Sequence, residues 1–212
     1  MKHYDNVVIF DHPLIKHKIA ILRDEKTGMK QFRELVEEIT TLMTYESLKD
    51  VKTETVTVKT PLEETQQQMV PEGSIAIVPI LRAGLGMVNG IHVLFPTAKV
   101  GHIGMYRDEV TLQPHEYYCK LPDGIENKLV LLVDPMLATG GSACDAIAAL
   151  KARGCKRIKL MSIIGAPEGV SKVAATYPDV NVYVSTLDRC LNENGYILPG
   201  LGDAGDRLFG TK

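Results

Sequence analysis

Two kinds of hydrophobic pattern alternate along this chain, and together they predict its fold. Stretches that are rich in apolar residues and have the length of strands occur at 74–80, 99–106, 129–133, 157–165 and 181–187. Segments with apolar residues at helical spacing occur between them, at 83–95, 143–153 and 168–177. This alternation predicts an α/β fold with a mainly parallel twisted sheet, right-handed crossovers and helices on both faces.

The N-terminal region, about residues 1–50, is predicted to be mainly helical after a short strand, VVIF. Asp11 or His12 followed by Pro13 is typical of a helix start. The first helix carries apolar residues on one side: Leu14, Ile15, Ile19 and Leu22. A second helix after Thr27 has a longer apolar face: Phe32, Leu35, Val36, Ile39, Leu42 and Met43. Residues 51–59 alternate threonine with valine and charge, which predicts a half-exposed strand.

Two further segments depart from the regular alternation. Polar and β-forming residues around Pro114, with turn residues at 122–124, predict a flexible hairpin at about 107–124. The C-terminal tail, about 190–212, is rich in glycine and is predicted to be irregular but packed down by its own apolar residues. We therefore expect a single domain over residues 1–212.

Charge and cysteine content narrow the choice of partners and compartment. The formal net charge of −2 provides no basic field that would attract nucleic acid. The four cysteines are scattered without metal-ligand spacing, which favours reduced thiols and a cytoplasmic location. No signal-peptide layout and no apolar run of membrane-spanning length is found, so we expect no membrane association.

The strongest candidate site is the stretch at 129–142, LVLLVDPMLATGGS. A buried strand ends at Asp134 and Pro135, and a glycine-rich turn then leads into a helix. Such a turn directs free backbone N–H groups to one point, at the positive end of the helix dipole. A dianionic phosphate fits there, since each charge-assisted hydrogen bond contributes about 1.5–3 kcal/mol. We expect Asp134 to face sugar hydroxyls, because its charge would repel the phosphate; a buried strand with a tight turn and no ligand is the simpler alternative.

Two arginines lie where strands of the predicted sheet end. Arg82 follows the strand at 74–80, and Arg107 follows the strand at 99–106, at the root of the hairpin. The carboxyl ends of parallel strands usually border the ligand crevice, so both arginines are candidates for binding an anion. A surface ion pair explains Arg82 equally well, and local ion pairs at the hairpin root explain Arg107 equally well. A mobile hairpin carrying Arg107 would also exclude water from a charged substrate. Glycines at 84–90 faintly suggest a nicotinamide-dinucleotide fold, but their spacing is not GxGxxG.

Four segments resemble those of one known family, in the same order. LLVDPMLATGGS resembles the phosphoribosyl-diphosphate-binding signature of type I phosphoribosyltransferases, and PILRAG, YRDE and YILPGLGDAGDR resemble segments of the uracil phosphoribosyltransferases. The N-terminal segments FDHPLIKHKIAILRD and FRELVEEI are similar to that family too, so the resemblance runs nearly end to end. It implies transfer of the 5-phosphoribosyl group from 5-phosphoribosyl 1-diphosphate to uracil, with Mg2+ held mainly through the substrate diphosphate.

The resemblance also implies roles for individual residues. Arg107 and Asp203 are implied as catalytic residues, and no general base or direct metal ligand is assigned. The set implied for the sugar diphosphate is Arg82, Arg107, Asp134, Pro135, Met136, Leu137, Ala138, Thr139, Gly140, Gly141, Ser142 and Asp203. The set implied for uracil is Tyr196, Ile197, Gly202, Asp203 and Ala204. Many type I relatives have two adjacent acidic residues where this chain has Asp134 and Pro135, so the ribose is left with one carboxylate.

Other functions stay open on the sequence alone. A pyrimidine-responsive RNA-binding regulator on the same fold would need a basic face, which the net charge argues against. A nicotinamide-binding oxidoreductase has only the glycines at 84–90 in its favour, and a purine phosphoribosyltransferase would differ in its base preference. The family further suggests a homo-oligomer, a dimer or larger, and activation by GTP, with Lys16, Lys18 and Arg23 as candidates for GTP binding.

Overall fold

A mainly parallel sheet forms the centre of the molecule. The structure is a computed structural model that describes residues 4–107 and 114–211, with residues 106, 107, 114 and 115 described by their backbone alone. The strands are β1 (Val7–Ile9), β2 (Glu54–Lys59), β3 (Glu64–Met69), β4 (Ile75–Leu81), β5 (Lys99–Val100), β6 (His102–Arg107), β7 (Pro114–Lys120), β8 (Leu129–Val133), β9 (Met136–Leu137), β10 (Arg157–Gly165), β11 (Asn181–Leu187), β12 (Cys190–Leu191) and β13 (Ile197–Leu198). The helices are α1 (Pro13–Arg23), α2 (Met29–Ser47), α3 (Leu85–Leu94), α4 (Gly141–Ala152), α5 (Pro167–Thr176) and α6 (Ala204–Phe209), with a 3-10 turn at Ile125–Asn127.

The strand order brings the segments after β4, β8 and β10 together. Along the sheet the order is β1-β11-β10-β8-β4-β6-β7, with β5 beside β4 and β9 beside β10. These pairs are parallel except for β6 with β7. Ile75 pairs with Leu129, and Leu129 pairs with Arg157, so the three central strands start in register. Their carboxyl ends therefore meet at one edge of the sheet.

Helices cover both faces of the sheet, which confirms the predicted fold class. Each residue of β8 is buried, as expected of a strand that is covered on both sides. Helices α1, α2, α3 and α6 pack on the face that carries Ile77 and Leu131. Helices α4 and α5 pack on the opposite face, against Val78 and Leu132. None of the helices in the described part of the chain combines the length and hydropathy needed to cross a membrane.

The N-terminal helices form where predicted, with one error in the buried face. His12 caps α1, because its Nδ1 accepts the N–H of Leu14 at 3.2 Å. Leu14 itself is 54% exposed, so it does not share the buried side of α1 with the other three residues, contrary to the prediction from their spacing. The buried residues of α1 are Ile15, Ile19 and Leu22, which follow i, i+4, i+7 spacing, whereas Leu14 precedes them by one position and points away from that stripe.

The strand predicted at 51–59 has a partner that the hydrophobic pattern did not reveal. Strand β2 pairs with β3 in a separate antiparallel two-stranded sheet. Strand β3, ETQQQM, is almost wholly polar, so it carries no hydrophobic signal. Its side chains make cross-strand hydrogen bonds instead: Gln66 to Thr57 and Gln68 to Thr55, both at 2.9 Å.

The antiparallel pair near residue 107 differs from the predicted hairpin. Its first strand is β6, which also pairs with β4 in the main sheet, and its second strand is β7. The connection, 108–113, lies outside the described residues. Residues 122–124 lead into the 3-10 turn and do not join the two strands.

The C-terminal tail is more regular than its glycine content predicts. Strands β12 and β13 form a short antiparallel pair, and α6 follows. Asp203 caps α6, because its Oδ1 accepts the N–H of Asp206 at 2.9 Å.

Candidate functional site

Residues 134–142 connect β8 to the first turn of α4 at the carboxyl edge of the sheet and include the short strand β9; we call this segment the turn. Backbone hydrogen bonds to the β10 side hold this turn in place. The N–H of Ile164 donates to the carbonyl oxygen of Pro135 at 3.0 Å, and that of Ala166 donates to Leu137 at 2.9 Å. The turn is therefore fixed by the sheet on which it lies.

Two glycines allow the start of α5 to approach this turn closely. Gly140 has a φ of +75°, a conformation that suits glycine, immediately before α4 begins. A Cβ on Gly140 would lie 2.8 Å from the carbonyl oxygen of Gly169, and one on Gly169 would lie 2.3 Å from that of Ala138. Sequence reasoning missed Gly169, because a lone glycine near a helix start carries no signal of this contact.

Among the described residues, the hydrogen bond found at the first N–H groups of α4 is a weak one. Oγ1 of Thr139 accepts the N–H of Gly141 at 3.4 Å, which is long for a hydrogen bond. Thr139 and Ser142 are exposed, whereas Gly140 and Gly141 are buried backbone without a side chain. The helix start therefore presents open donors at its positive end.

Arg82 lies in the connection between β4 and α3, beside the end of β8. Gly84 packs there so closely that a Cβ would lie 2.4 Å from the carbonyl oxygen of Val133. The Arg82 side chain is 57% exposed, and its Nη2 lies 3.6 Å from Oδ1 of Asp206. Its guanidinium lies 6.0 Å from the centre of the Phe209 ring. Arg82 thus makes a surface ion pair, but a long and exposed one that a ligand can replace at little cost.

The C-terminal tail closes a cleft of about 290 Å³ beside the turn. A Cβ on Gly195 would lie 3.7 Å from Cγ2 of Thr139, so tail and turn touch. The cleft is lined by Met136, Ala138, Asn194, Gly195, Tyr196, Ile197, Gly202, Asp203 and Ala204. All residues implied for uracil thus lie in one cleft with two residues of the turn, Met136 and Ala138.

Asp203 lines this cleft, and its charge acts on the carboxyl of Asp134 in the adjoining turn. Oδ1 of Asp134 accepts the N–H of Met136 at 3.3 Å. Burial raises the pKa of Asp134 to about 7; the charge of Asp203 acts in the same direction, and the Met136 hydrogen bond opposes both. No cationic side chain in the described part of the chain offsets these effects. A cation brought by a ligand would therefore favour the ionised form of Asp134.

Side chains of opposite ends of the chain hold the tail in position. Nη1 of Arg23, on α1, donates to Oδ2 of the buried Asp188 at 2.8 Å and to the carbonyl oxygen of Gly200 at 2.7 Å. The same Asp188 oxygen accepts the N–H of Gly200 at 2.8 Å. A side chain of the tail also bonds to the N-terminal region: Arg207 of α6 donates to the carbonyl oxygen of Leu22 in α1 at 2.9 Å.

The three basic residues suggested for GTP binding all form ion pairs in this structure, and their role in GTP binding stays a prediction. Each pairs with a different carboxylate: Lys16 with Asp11, Lys18 with Glu38 and Arg23 with Asp188.

Arg107 is the last residue of β6, and its backbone pairs with Pro114. Its side chain lies outside the described residues, as does the hairpin tip, so the predicted role of Arg107 stays a prediction.

A larger cavity, of about 370 Å³, lies at the opposite edge of the sheet. It is lined by residues at the starts of β4, β8, β10 and β11, including Ile75, Leu129 and Arg157. None of the predicted site residues lines it. Ligands of open α/β sheets bind at the carboxyl ends of the strands, so the cleft at the tail is the better candidate.

Comparisons of sequence point to one family. A family model described as uracil phosphoribosyltransferase matches residues 8–211. A uracil phosphoribosyltransferase of Clostridium beijerinckii is 60% identical over 206 residues, which cover 97% of this chain and 99% of that protein. One of Thermoanaerobacter sp. is 58% identical over 209 residues, covering 99% and 100%.

Comparisons of structure agree on the fold. The AQ2163 protein from Aquifex aeolicus superposes with a TM-score of 0.89 at 41% identity, over 96% of this chain and 97% of that one. An adenine phosphoribosyl transferase from Trypanosoma brucei superposes with a TM-score of 0.59 over 96% and 90%, at only 15% identity. This second likeness shows a shared fold alone.

Proposed function

The chain belongs to the uracil phosphoribosyltransferase family, and we propose that its cleft carries out the transfer for which the family is named. The 5-phosphoribosyl group of 5-phosphoribosyl 1-diphosphate passes to uracil, giving uridine monophosphate and inorganic pyrophosphate in pyrimidine salvage. One observation carries the assignment of the site: Met136 and Ala138 of the turn line a single cleft together with tail residues 194–197 and 202–204.

We assign the 5-phosphate to the backbone N–H groups of residues 138–142. The open helix start supports this assignment, because donors there point at a bound anion and the dipole favours negative charge. The absence of a side-chain carbon at Gly140 and Gly141 lets phosphate oxygens approach the backbone. The first part of the turn after Asp134 consists of Pro135, Met136 and Leu137. These residues would act through their backbone.

We assign the ribose hydroxyls to Asp134, with Asp203 nearby. A carboxyl with a pKa of about 7 is largely protonated below neutral pH and ionised above it. Either form can hydrogen-bond a hydroxyl, as donor or acceptor. Asp203 is exposed at the mouth of the cleft, where it can reach both the ribose and the diphosphate.

Mg2+ would be held mainly through the substrate diphosphate, as the family resemblance implies. Among the described residues no group of three or more histidine, cysteine, aspartate or glutamate side chains could form a metal site by itself. Mg2+ commonly keeps several waters and uses one or two carboxylates together with substrate phosphates. Asp134 and Asp203 would supply those carboxylates, and the bound ion would neutralise charge on the diphosphate.

We assign the diphosphate to Arg82 and Arg107, at the ends of β4 and β6. As the bond from C1 to the diphosphate oxygen breaks, negative charge grows on the leaving group and positive charge spreads over the sugar ring. Guanidinium groups bind such phosphate oxygens in a bidentate manner. Donors already in place stabilise the developing charge, and loss of one such donor typically costs about 10²–10³ in turnover.

Uracil would bind along the tail and attack the electron-poor C1 through its ring nitrogen, which then loses its proton. The backbone of Ile197, Gly202 and Ala204 offers donors and acceptors to the edge of the base, with Tyr196 at the mouth of the cleft. Arg107 and the hairpin would help to exclude water, which would otherwise capture the sugar. We assign no general base.

An assay with each common nucleobase tests this function. Purified protein is incubated with the sugar diphosphate, Mg2+ and one of five bases, and the product is identified by chromatography. We expect uridine monophosphate from uracil, little product from the other bases and none when Mg2+ is chelated. Efficient conversion of hypoxanthine, guanine or adenine instead would favour a purine enzyme.

The remaining parts of the proposal concern assembly, regulation and location. From the family resemblance we infer that the protein is a homo-oligomer, dimeric or larger, and that GTP activates it. Analytical ultracentrifugation tests the oligomeric state, and turnover measured with and without GTP tests the activation. Because all four cysteines are free, a cytoplasmic location is the one we propose.

A further inference from the structure

A buried ion pair lies directly behind the segment that we assign to uracil. It joins Arg23, at the end of α1, to Asp188, just after β11. We propose that Arg23 and Asp188 are positioning residues, which set the conformation of residues 196–204 and thereby the recognition of uracil. This inference rests on the proposed function, because it takes that segment to be the uracil site.

The ion pair fixes both backbone polar groups of a single residue, Gly200. Its N–H donates to Oδ2 of Asp188 at 2.8 Å, and its carbonyl oxygen accepts from Nη1 of Arg23 at 2.7 Å. Nη1 of Arg23 also donates to the Asp188 carboxylate, at 2.8 Å, and Nη2 donates to its other oxygen. The Asp188 side chain is only 3% exposed, so water does not compete for these contacts.

The position of Gly200 is transmitted to the cleft by a tight turn. Gly200 has a φ of +62°, and a Cβ there would lie 2.2 Å from the carbonyl oxygen of Ile197. Ile197 lines the cleft, as do Gly202 and Asp203 on the other side of Gly200. A shift of Gly200 therefore moves backbone groups on both sides of it. Residues 134–142, which we call the phosphate turn, have their own backbone bonds to Ile164 and Ala166.

The arrangement needs the fork of an arginine. One guanidinium reaches both carboxylate oxygens and the Gly200 carbonyl oxygen at once, whereas a lysine ammonium is a point donor without that geometry. Arg23→Lys keeps the charge and loses the fork. We expect it to raise the KM for uracil about tenfold, equivalent to about 1.4 kcal/mol. We expect the KM for the sugar diphosphate to rise clearly less, because Asp203 is the only residue assigned to that substrate that lies in the displaced segment.

Two further variants complete the experiment. Asp188→Asn leaves an oxygen that can accept the Gly200 N–H but removes the charge that orients Arg23, so it should also raise the KM for uracil selectively. Arg157→Lys is the matched control. Arg157 lies at the opposite edge of the sheet and donates to the carbonyl oxygen of Asn127 at 2.8 Å, so both KM values should stay at those of the wild type. Thermal unfolding of each protein shows that the compared variants are folded.

A selective rise in the KM for uracil supports the positioning role. Unchanged KM for uracil in folded Arg23→Lys and Asp188→Asn overturns it, and so does an equal rise in both KM values, which indicates general loosening. Should Arg23→Lys fail to fold, Asp188→Asn provides the same comparison. A wild-type enzyme that forms no uridine monophosphate would instead refute the proposed function, so the two failures are distinguishable.

Discussion

Substitution of Gly140 by alanine is the most direct test of the phosphate turn. The residue has a φ of +75°, and for a residue with a Cβ this left-handed conformation costs about 1–2 kcal/mol. The new Cβ would also lie 2.8 Å from the carbonyl oxygen of Gly169, a separation too short for a real contact. The obstacle is backbone, which cannot rotate away as a side chain does. Either the turn or the start of α5 must therefore move.

A displaced turn loses the alignment of its N–H groups with the phosphate. Loss of two charge-assisted hydrogen bonds, at about 1.5–3 kcal/mol each, removes about 3–6 kcal/mol of binding free energy. Since each 1.4 kcal/mol is a factor of ten, the dissociation constant for the sugar diphosphate should rise about a hundredfold or more. The effect on binding should exceed the effect on stability.

Calorimetric titration with the sugar diphosphate and Mg2+ measures this affinity, and Gly124→Ala is the matched control. Gly124 has a φ of +70°, but a Cβ there would have no atom within 4 Å, and the residue lies away from the cleft. In both variants the left-handed backbone conformation lowers the unfolding free energy by a similar amount. Only Gly140→Ala should also lose affinity for the sugar diphosphate. Wild-type affinity in a folded Gly140→Ala protein, or equal losses in both variants, would refute the phosphate assignment.

Three further substitutions separate chemistry from stability. Arg82→Gln should lower turnover about 10²–10³-fold in steady-state assays. The unfolding free energy should stay within about 0.5 kcal/mol of the wild type, because the ion pair of Arg82 with Asp206 is long and exposed. A large loss of stability would mean that Arg82 is structural. Asp203→Asn should keep the cap of α6, since asparagine caps helices as well as aspartate does. Turnover should nevertheless fall at least tenfold, and wild-type turnover would show that Asp203 is not part of the site. Asp134 has a pKa of about 7 in the folded protein, well above that of an unfolded aspartate. Because the folded state therefore binds the proton more tightly, the contribution of Asp134 to stability is complete below about pH 4 and is lost as the pH rises to about 8. Urea unfolding of the ligand-free proteins should therefore show Asp134→Asn gaining stability relative to the wild type over that range, and a constant difference would contradict the raised pKa.

Local hydrophobic pattern is enough to predict the sheet and one half of the candidate site, the turn to which we assign the phosphate. The run Leu129–Val133 is buried on both faces, so its five apolar residues leave little doubt about a strand. The turn at 134–142 follows it directly in sequence. Gly140 and Gly141 need no distant partner to place them before a helix, which explains why this half was predictable.

The rest of the site depends on contacts between distant parts of the chain. Arg23 and Asp188 are 165 residues apart, and no local pattern connects them. Arg23, suggested only as a candidate for binding GTP, donates to Asp188 and to the carbonyl oxygen of Gly200 in the tail. Gly169 meets Ala138 through packing of α5 against the turn, which only the folded topology creates. Strand β3 and helix α6 were missed for a different reason: the first is polar, and the second is six residues long and depends on its cap at Asp203.

This division between local and distant contacts suggests how the fold separates phosphate handling from choice of base. The phosphate turn is built on the central sheet, and a protein described as an adenine phosphoribosyl transferase shares the fold at only 15% identity. The sheet by itself therefore does not specify the base. In this chain the base is assigned to a tail that is positioned by Arg23, Asp188 and Arg207, all outside the phosphate turn. Changes in that support can alter which base fits while the phosphate contacts stay intact, so base specificity should be sought in how the tail is held as well as in the residues that touch uracil.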